Sequence, residues 1–498
     1  MSAHRPYQLV QRHGVLLRGD PRRVIAQLFL PGQEVLIEGE SRAIPVLERI
    51  QRMSEDEAME ALLRTHARFG LRHRDLDSIL MTNFRRVEHR CHEPEALTPV
   101  RRLLIGAYFT REYSIEAAAL FNPSIVVHPD QSGLGDGELR FVLTVRGVGE
   151  GHISSIGFRE GVIAADGGVV VNLPGLSATA GDSTAYSLYR DNVMWQLEEL
   201  GGHGENERFV LGLLPEHFTY QQLEQALSVL DSDRLIYRDV DQSMARLRWV
   251  TQCNYAVEFP AETRLAERVL YPTSPTESHG MEDARFVHFT DDDGHSTYYG
   301  TYTAFDGQHV VPQMIQTSDF LNFRISQLSG SSAKNKGLAL FPRKVNGQFV
   351  ALSRWDRESN DLVYSENARH WDRGITVQAP EQPWELIQLG NCGSPIETEA
   401  GWLVLTHGVG PMRLYGIGAM LLDLDDPSRV IGKLQEPLLT PDEHEREGYV
   451  PNVVYTCGAL AHGDTLVMPY GCSDATVRIA TVDLPSLLAQ LREGAAVG

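Results

Sequence analysis

The sequence predicts an all-β fold, a five-bladed β-propeller with a helix-rich N-terminal extension and a partly helical insertion, and three observations predict it. Segments built of short alternating strands begin at Met281, Leu338, Gly393 and Pro451, following one another at 57, 55 and 58 residues. Near-constant spacing of several strands per unit is the mark of a radially repeated sheet. From Phe121 onward, glycine and aspartate turns separate runs of alternating apolar residues such as Leu139 to Gly147. Helical spacing is confined to the first 115 residues and to a stretch within about residues 165–250.

Taken in chain order, the first region (1–115) offers a strand from Arg23 to Leu30 and then helices. Ser54, followed by Glu55, Asp56 and Glu57, is an N-cap with an acidic first turn. Further helices are expected over Leu76–Arg86 and Glu93–Tyr108. The region reads as a packing or oligomerisation module. The sheet region, 116–490, opens with a unit at Phe121. It lies far enough before Met281 to leave room for an insertion, in which Phe218–Asp231 and Asp239–Trp249 carry helical spacing.

Composition narrows the function. With 45 basic and 66 acidic side chains the net charge is −21, which opposes polyphosphate backbones and anionic membrane surfaces. No apolar run approaches the ~18 residues a membrane helix requires, and the start lacks an apolar leader. The five cysteines are widely spaced without a Cys-x-x-Cys pair, so neither a disulfide framework nor a zinc site is expected. His89-Arg90-Cys91-His92 has ligand-type residues but no partners elsewhere in the sequence. These features predict a cytoplasmic protein with no metal and no resident cofactor.

Polar residues recur in phase with the repeat. Asn122, Asp283, Lys336, Ser394 and Asn452 stand near the starts of units, and Arg146, Asp306, Arg354, His407 and Asp474 near the ends of second strands. Such phasing brings them toward one channel, where amides and carboxylates beside cations suit a neutral, hydroxyl-rich ligand with one anionic neighbour.

The segment Gly280-Met281-Glu282-Asp283-Ala284-Arg285 resembles the Glu-Asp-Pro-Arg signature of glycoside hydrolase family 130, the β-mannoside phosphorylases and β-mannosidases. The resemblance spans about residues 118–485 and includes Phe121-Asn-Pro, Thr301-Tyr-Thr-Ala-Phe-Asp306, Leu340-Phe-Pro-Arg-Lys-Val-Asn-Gly, Gly401-Trp-Leu-Val-Leu-Thr-His407-Gly and Tyr470-Gly-Cys-Ser-Asp474. It implies a five-bladed propeller that cleaves β-1,2- or β-1,4-linked manno-oligosaccharides with inversion. Asp283 is then the general acid, delivering its proton through the mannose 3-hydroxyl. Asn122, Arg146 and Asp474 are implied to grip the mannose, and Asp306 and His407 join them as substrate-binding candidates by their phase in the repeat.

The nucleophile separates two activities. Inorganic phosphate, as co-substrate, needs cations, for which Lys336, Lys334 and Arg354 are the candidates, and gives α-mannose 1-phosphate. Water needs a carboxylate base, for which Asp356 or Glu358 is in reach by sequence. Lys336 is expected to be an unpaired cation awaiting an anion. Ser353 stands where the family has histidine, which suits the hydrolytic alternative, and Ala284 replaces the signature proline; phosphorolysis is the expected activity, because Lys336 is placed to meet an anion. The alternative from another class is a non-catalytic sugar-binding propeller, for which Glu282-Asp283 would be superfluous.

Overall fold

A computed structural model describes residues 9–31, 42–202, 204–232 and 238–495. The chain divides into two compact units. One comprises residues 20–117 with 175–180; the other comprises 1–19, 118–174 and 181–498.

In the smaller unit, strands Val24–Leu28 and Thr110–Ser114 pair antiparallel. Between them run helices Ala43–Arg52, Glu55–Phe69, Leu76–Val87 and Pro99–Tyr108. Ser54 is an N-cap, as the sequence predicts, and with Glu57 it closes a reciprocal capping box. The helix expected from Glu93 begins instead at Pro99, with Thr98 as its N-cap. Proline is suited to a first turn and unsuited to an interior, so Pro99 sets the start. Leu47, Ile50, Leu62, Leu80, Phe84, Leu104, Ile105 and Phe109 form the core. Gly106 lets two helices touch: a Cβ there would lie 1.9 Å from the Leu80 carbonyl oxygen.

The larger unit is mostly sheet. Strands Ala119–Val127, Leu139–Val148, Ser154–Ile163 and Val169–Val171 make one antiparallel meander. Gly280–Thr290, Ser296–Phe305, Val310–Thr317 and Asn322–Gln327 make the next, joined to the first by the single parallel pair Gly280 and Ser154. Ala339–Leu340, Phe349–Ser353, Asn360–Ser365 and Arg373–Gln378 follow. Then come Gln388–Asn391, Gly401–Val409, Tyr415–Leu422 and Val430–Lys433. Val454–Tyr455, Thr465–Cys472 and Thr476–Asp483 form the last, and Val10–Arg18 completes it by pairing antiparallel with Thr476–Asp483.

That final pairing corrects the expected 1–115 boundary. Residues 10–18 belong to the sheet unit because their register partners, from Val482 to Thr476, lie at the other end of the chain. The insertion folds as four helices, Arg190–Glu199, Glu205–Leu213, Tyr220–Ser232 and Val240–Gln252. They close over a core that includes Leu197, Val210, Phe218, Leu223, Leu227 and Leu247. Among the described residues no helix is long and apolar enough to cross a membrane.

Candidate active site

Two matching irregularities aim the central side chains. The first strand of the first meander skips register between Phe121 and Ser124, and that of the second skips between Glu282 and Arg285. Within these bulges Asn122 and Asp283 adopt left-handed backbone, φ 46° and 56°. A bulge re-aims a side chain out of the strand's alternation, and Asn and Asp tolerate the left-handed region better than most residues. The two side chains meet: Asn122 Nδ2 donates to Asp283 Oδ1 at 2.6 Å.

Arg146, near the end of Leu139–Val148, bridges both carboxylates of the motif. Its Nη1 donates to Asp283 Oδ1 at 3.0 Å and its Nη2 to Glu282 Oε1 at 2.6 Å. The Phe121 ring lies 5.0 Å from the guanidinium carbon, a cation–π contact. Lys336 donates its ammonium to Glu282 Oε2. The expectation of an unpaired Lys336 is therefore corrected: Glu282 supplies its counter-charge.

A second group lies on the same motif's far side. Arg285 Nη1 donates to the Asp283 carbonyl at 3.0 Å and Nη2 to the Tyr455 hydroxyl at 2.8 Å. The Tyr455 ring meets His407 edge-on at 4.9 Å between centroids. His407 Nε2 accepts from Arg354 Nη1 at 3.1 Å. A guanidinium can only donate, so this ring nitrogen carries the lone pair. Burial, then Arg354 and Arg285, keep His407 well below the ordinary imidazole range and therefore neutral. Arg354 makes no ion pair with any carboxylate among the described residues.

The electrostatics divide the carboxylates. Burial pushes Asp283 up, but Arg146, Lys336, Arg285 and the Asn122 amide outweigh it and hold the group well below the usual carboxylate range. Asp474, left-handed at φ 49° in the turn after Thr465–Cys472, behaves oppositely. Burial and then the Asp283 charge push it up to about 6, against the pull of Arg146. One carboxylate is anionic and clamped; the other exchanges a proton near neutrality.

The structure thus gathers Asn122, Arg146, Asp283, Lys336 and Asp474 into one electrostatic cluster, with Arg354 and His407 linked to it through Tyr455 and Arg285. Two candidates fall outside. Asp306 spends its carboxylate on a turn, accepting from the Gln308 and His309 amides at 2.8 and 2.6 Å. Its phase in the repeat reflects that turn, since an aspartate before glycine closes on the amides that follow it. Lys334 is exposed, and its electrostatic neighbour is Glu199, whereas Lys336 two residues on meets Glu282. Asp356 is likewise a turn residue, accepting from the Glu358 and Ser359 amides at 2.9 Å each, and Glu358 is exposed. Tyr455 was missed by sequence reasoning, although it stands four residues after the unit start at Pro451. Glu282 was read as part of the motif without its role as partner to Lys336 and Arg146. Among the described residues no His, Cys, Asp and Glu side chains group as a metal site. A separate cavity of about 590 Å³, lined by Tyr186, Tyr220, Tyr255 and Tyr271 among others, contains none of the cluster residues.

A clamped carboxylate, a neutral histidine and an arginine that meets no carboxylate among the described residues make an arrangement suited to a carbohydrate-active enzyme. The chain belongs to glycoside hydrolase family 130: the family model, described as beta-1,4-mannooligosaccharide phosphorylase, matches residues 226–493. A 1,2-beta-oligomannan phosphorylase of Thermoanaerobacter sp. (strain X514) is 32% identical over 266 residues, 51% of this chain and 86% of that one. A beta-1,4-mannooligosaccharide phosphorylase of Ruminococcus albus is 36% identical over 163 residues, 30% of this chain and 49% of that one. A solved structure of beta-1,2-mannobiose phosphorylase from Listeria innocua, in complex with beta-1,2-mannobiose, covers 76% of this chain and 93% of its own at 22% identity, with a TM-score of 0.45.

Proposed function

We propose that this protein is an inverting β-mannoside phosphorylase built on a five-bladed propeller, which cleaves β-linked manno-oligosaccharides with inorganic phosphate and releases α-mannose 1-phosphate. The observation that carries the reading is Arg354, a half-buried guanidinium with no carboxylate partner among the described residues, in a chain of net charge −21. An unpaired cation removed from water is costly unless an anion meets it. Hydrolysis is the weaker reading, because Asp356 is consumed by its turn and Glu358 is exposed. The curated relatives bearing phosphorylase names point the same way.

In the forward reaction a phosphate oxygen attacks the anomeric carbon as the bond to the leaving sugar's oxygen breaks. That oxygen takes up one proton, which Asp283 supplies, through the mannose 3-hydroxyl as the family resemblance implies. Asn122, Arg146 and Asp474 hold the mannose. Asp283 is anionic in the free protein and must gain a proton before it can act. Phosphate dianion beside Lys336 and Arg354 offsets the cations that hold it ionised, so its arrival shifts Asp283 in the direction catalysis requires. A phosphorylated product is retained inside a cell, which together with unbridged cysteines supports a cytoplasmic setting.

The test is product identity. Incubation with β-1,2- and β-1,4-linked manno-oligosaccharides should yield α-mannose 1-phosphate at a rate that requires phosphate. Lys336→Ala should weaken the apparent affinity for phosphate about 10- to 100-fold, the loss expected for one hydrogen bond to a charged group. Free mannose released at equal rates with and without phosphate would overturn the reading.

A further inference from the structure

Asn391, at the end of strand Gln388–Asn391, is 1% exposed, and both atoms of its carboxamide, Oδ1 and Nδ2, lack a hydrogen-bond partner among the described residues. A buried amide with neither end satisfied is rare in folded proteins and calls for a ligand that can meet it. Two neighbouring glycines place it. A Cβ on Gly337 would lie 3.3 Å from Asn391 Oδ1 and 3.5 Å from Arg354 Cβ, so the backbone just after Lys336 abuts both residues. A Cβ on Gly390, next to Asn391, would lie 3.0 Å from Arg354 Cδ and 2.6 Å from His407 Cε1. Gly337 has φ +99°, a conformation that admits glycine and few others, which keeps this approach open. Arg354 Nε is itself buried without a partner among the described residues. Asn391 and Arg354, each with an unsatisfied group, therefore both border the glycine that follows Lys336.

We propose that Asn391 completes the phosphate cup with Arg354 and Lys336 and lets it distinguish hydrogenphosphate from sulfate. The proposal rests on the phosphorylase reading above. An arginine and a lysine recognise any tetrahedral dianion by charge alone. A carboxamide differs, because it presents one donor and one acceptor together. Its Nδ2–H donates to a phosphate oxygen, as on any oxyanion; its Oδ1 accepts the P–OH hydrogen, which hydrogenphosphate has and sulfate lacks. A site that hydrogen-bonds a hydroxyl rejects the analogue without one, because its own acceptor is then left buried and unpaired.

The experiment compares the Michaelis constant for phosphate with the inhibition constant for sulfate, competitive with phosphate, in the wild type, Asn391→Leu and Asn391→Ser. Thermal melting establishes that each is folded, and the serine variant serves if leucine disrupts the strand. The expected result is that the phosphate constant rises by about 10-fold or more and the sulfate constant rises less, so that the preference for phosphate collapses. An unchanged phosphate constant in a folded variant overturns the proposal, as does an equal rise for both anions, which would leave Asn391 no part in discrimination. Lys336→Ala separates the two levels. If it weakens phosphate binding while Asn391→Leu does not, phosphorolysis stands and Asn391 falls; if turnover is indifferent to phosphate throughout, both fall.

Discussion

Glu277 and Glu282 stand five residues apart in one segment and both are buried, yet they are held in opposite ways. Glu277 is 0% exposed and accepts only from neutral donors: the Tyr255 hydroxyl at 2.8 Å, the Tyr302 hydroxyl, and the Thr273 and Ser274 amides at 2.9 Å each. Glu282 accepts from Arg146 and Lys336, beside an Asp283 held by Arg146 and Asn122. Around this second pair, Asn122 Oδ1, Arg146 Nε and Arg285 Nε remain buried without partners among the described residues. A carboxylate that serves structure has its lone pairs filled by groups that never change charge. One that serves chemistry is held by cations that a ligand can recruit, with hydrogen-bonding capacity left over.

The largest effect that sharpens this contrast is on turnover. Asp283→Asn should reduce kcat about 10³- to 10⁴-fold while the protein stays folded, measured by steady-state kinetics and circular dichroism, because a proton donor contributes on this scale. Near-normal turnover would sink the assignment of the acid. Glu277→Ala should do the reverse. Two tyrosine hydroxyls and two amides would lose their acceptor, and denaturant unfolding should show a loss on the order of 3–4 kcal/mol. A smaller loss than that of Asp283→Asn would mean that the neutral shell is not structural.

A subtler test uses the sign of linkage. Asp474 has its pKa raised from 3.8 to about 6, so between those values the folded state holds more protons than the unfolded one. Stability therefore declines as pH rises through that window, and the ionised group destabilises the fold above it. Asp474→Asn should gain about 2–3 kcal/mol at pH 8 and nothing at pH 3, with activity lost, as read from melting curves across pH. A gain that does not vary with pH would point to packing in place of charge. The smallest effect belongs to Asp306→Asn, where a turn amide keeps most of the carboxylate's bonds: less than about 1 kcal/mol and little change in kcat.

What was legible in the sequence follows from where each signal lives. The repeat was readable because strands and turns are local, and each unit announces itself within a few tens of residues. Asp283 was readable because its neighbours in sequence are its neighbours in function. Asp306 misled because phase places a backbone and says nothing of what the side chain will bond; the amides of Gln308 and His309 take it first. Lys336 misled in the other direction, since its partner Glu282 lies 54 residues away on another sheet. The unsatisfied amide of Asn391 has no sequence signal at all, because a missing partner is a property of packing.

The strand Val10–Arg18 gives the molecule a timetable. Val10 pairs with Val482 and Arg18 with Thr476, so the seam of the last sheet joins segments that leave the ribosome far apart. At about 5–20 residues per second, the earlier strand waits roughly 25–90 s for its mate. Through that interval it is an unclaimed edge, and the chain can build the earlier meanders before the last has its outermost strand. Its charges, Arg12 and Arg18, and the interruption of its register between Arg12 and Leu16 are the features by which natural edge strands avoid pairing with the wrong neighbour. Once the seam closes, Arg12 reaches the buried Glu445 at 3.1 Å, and one ion pair ties the earliest part of the sheet unit to the latest.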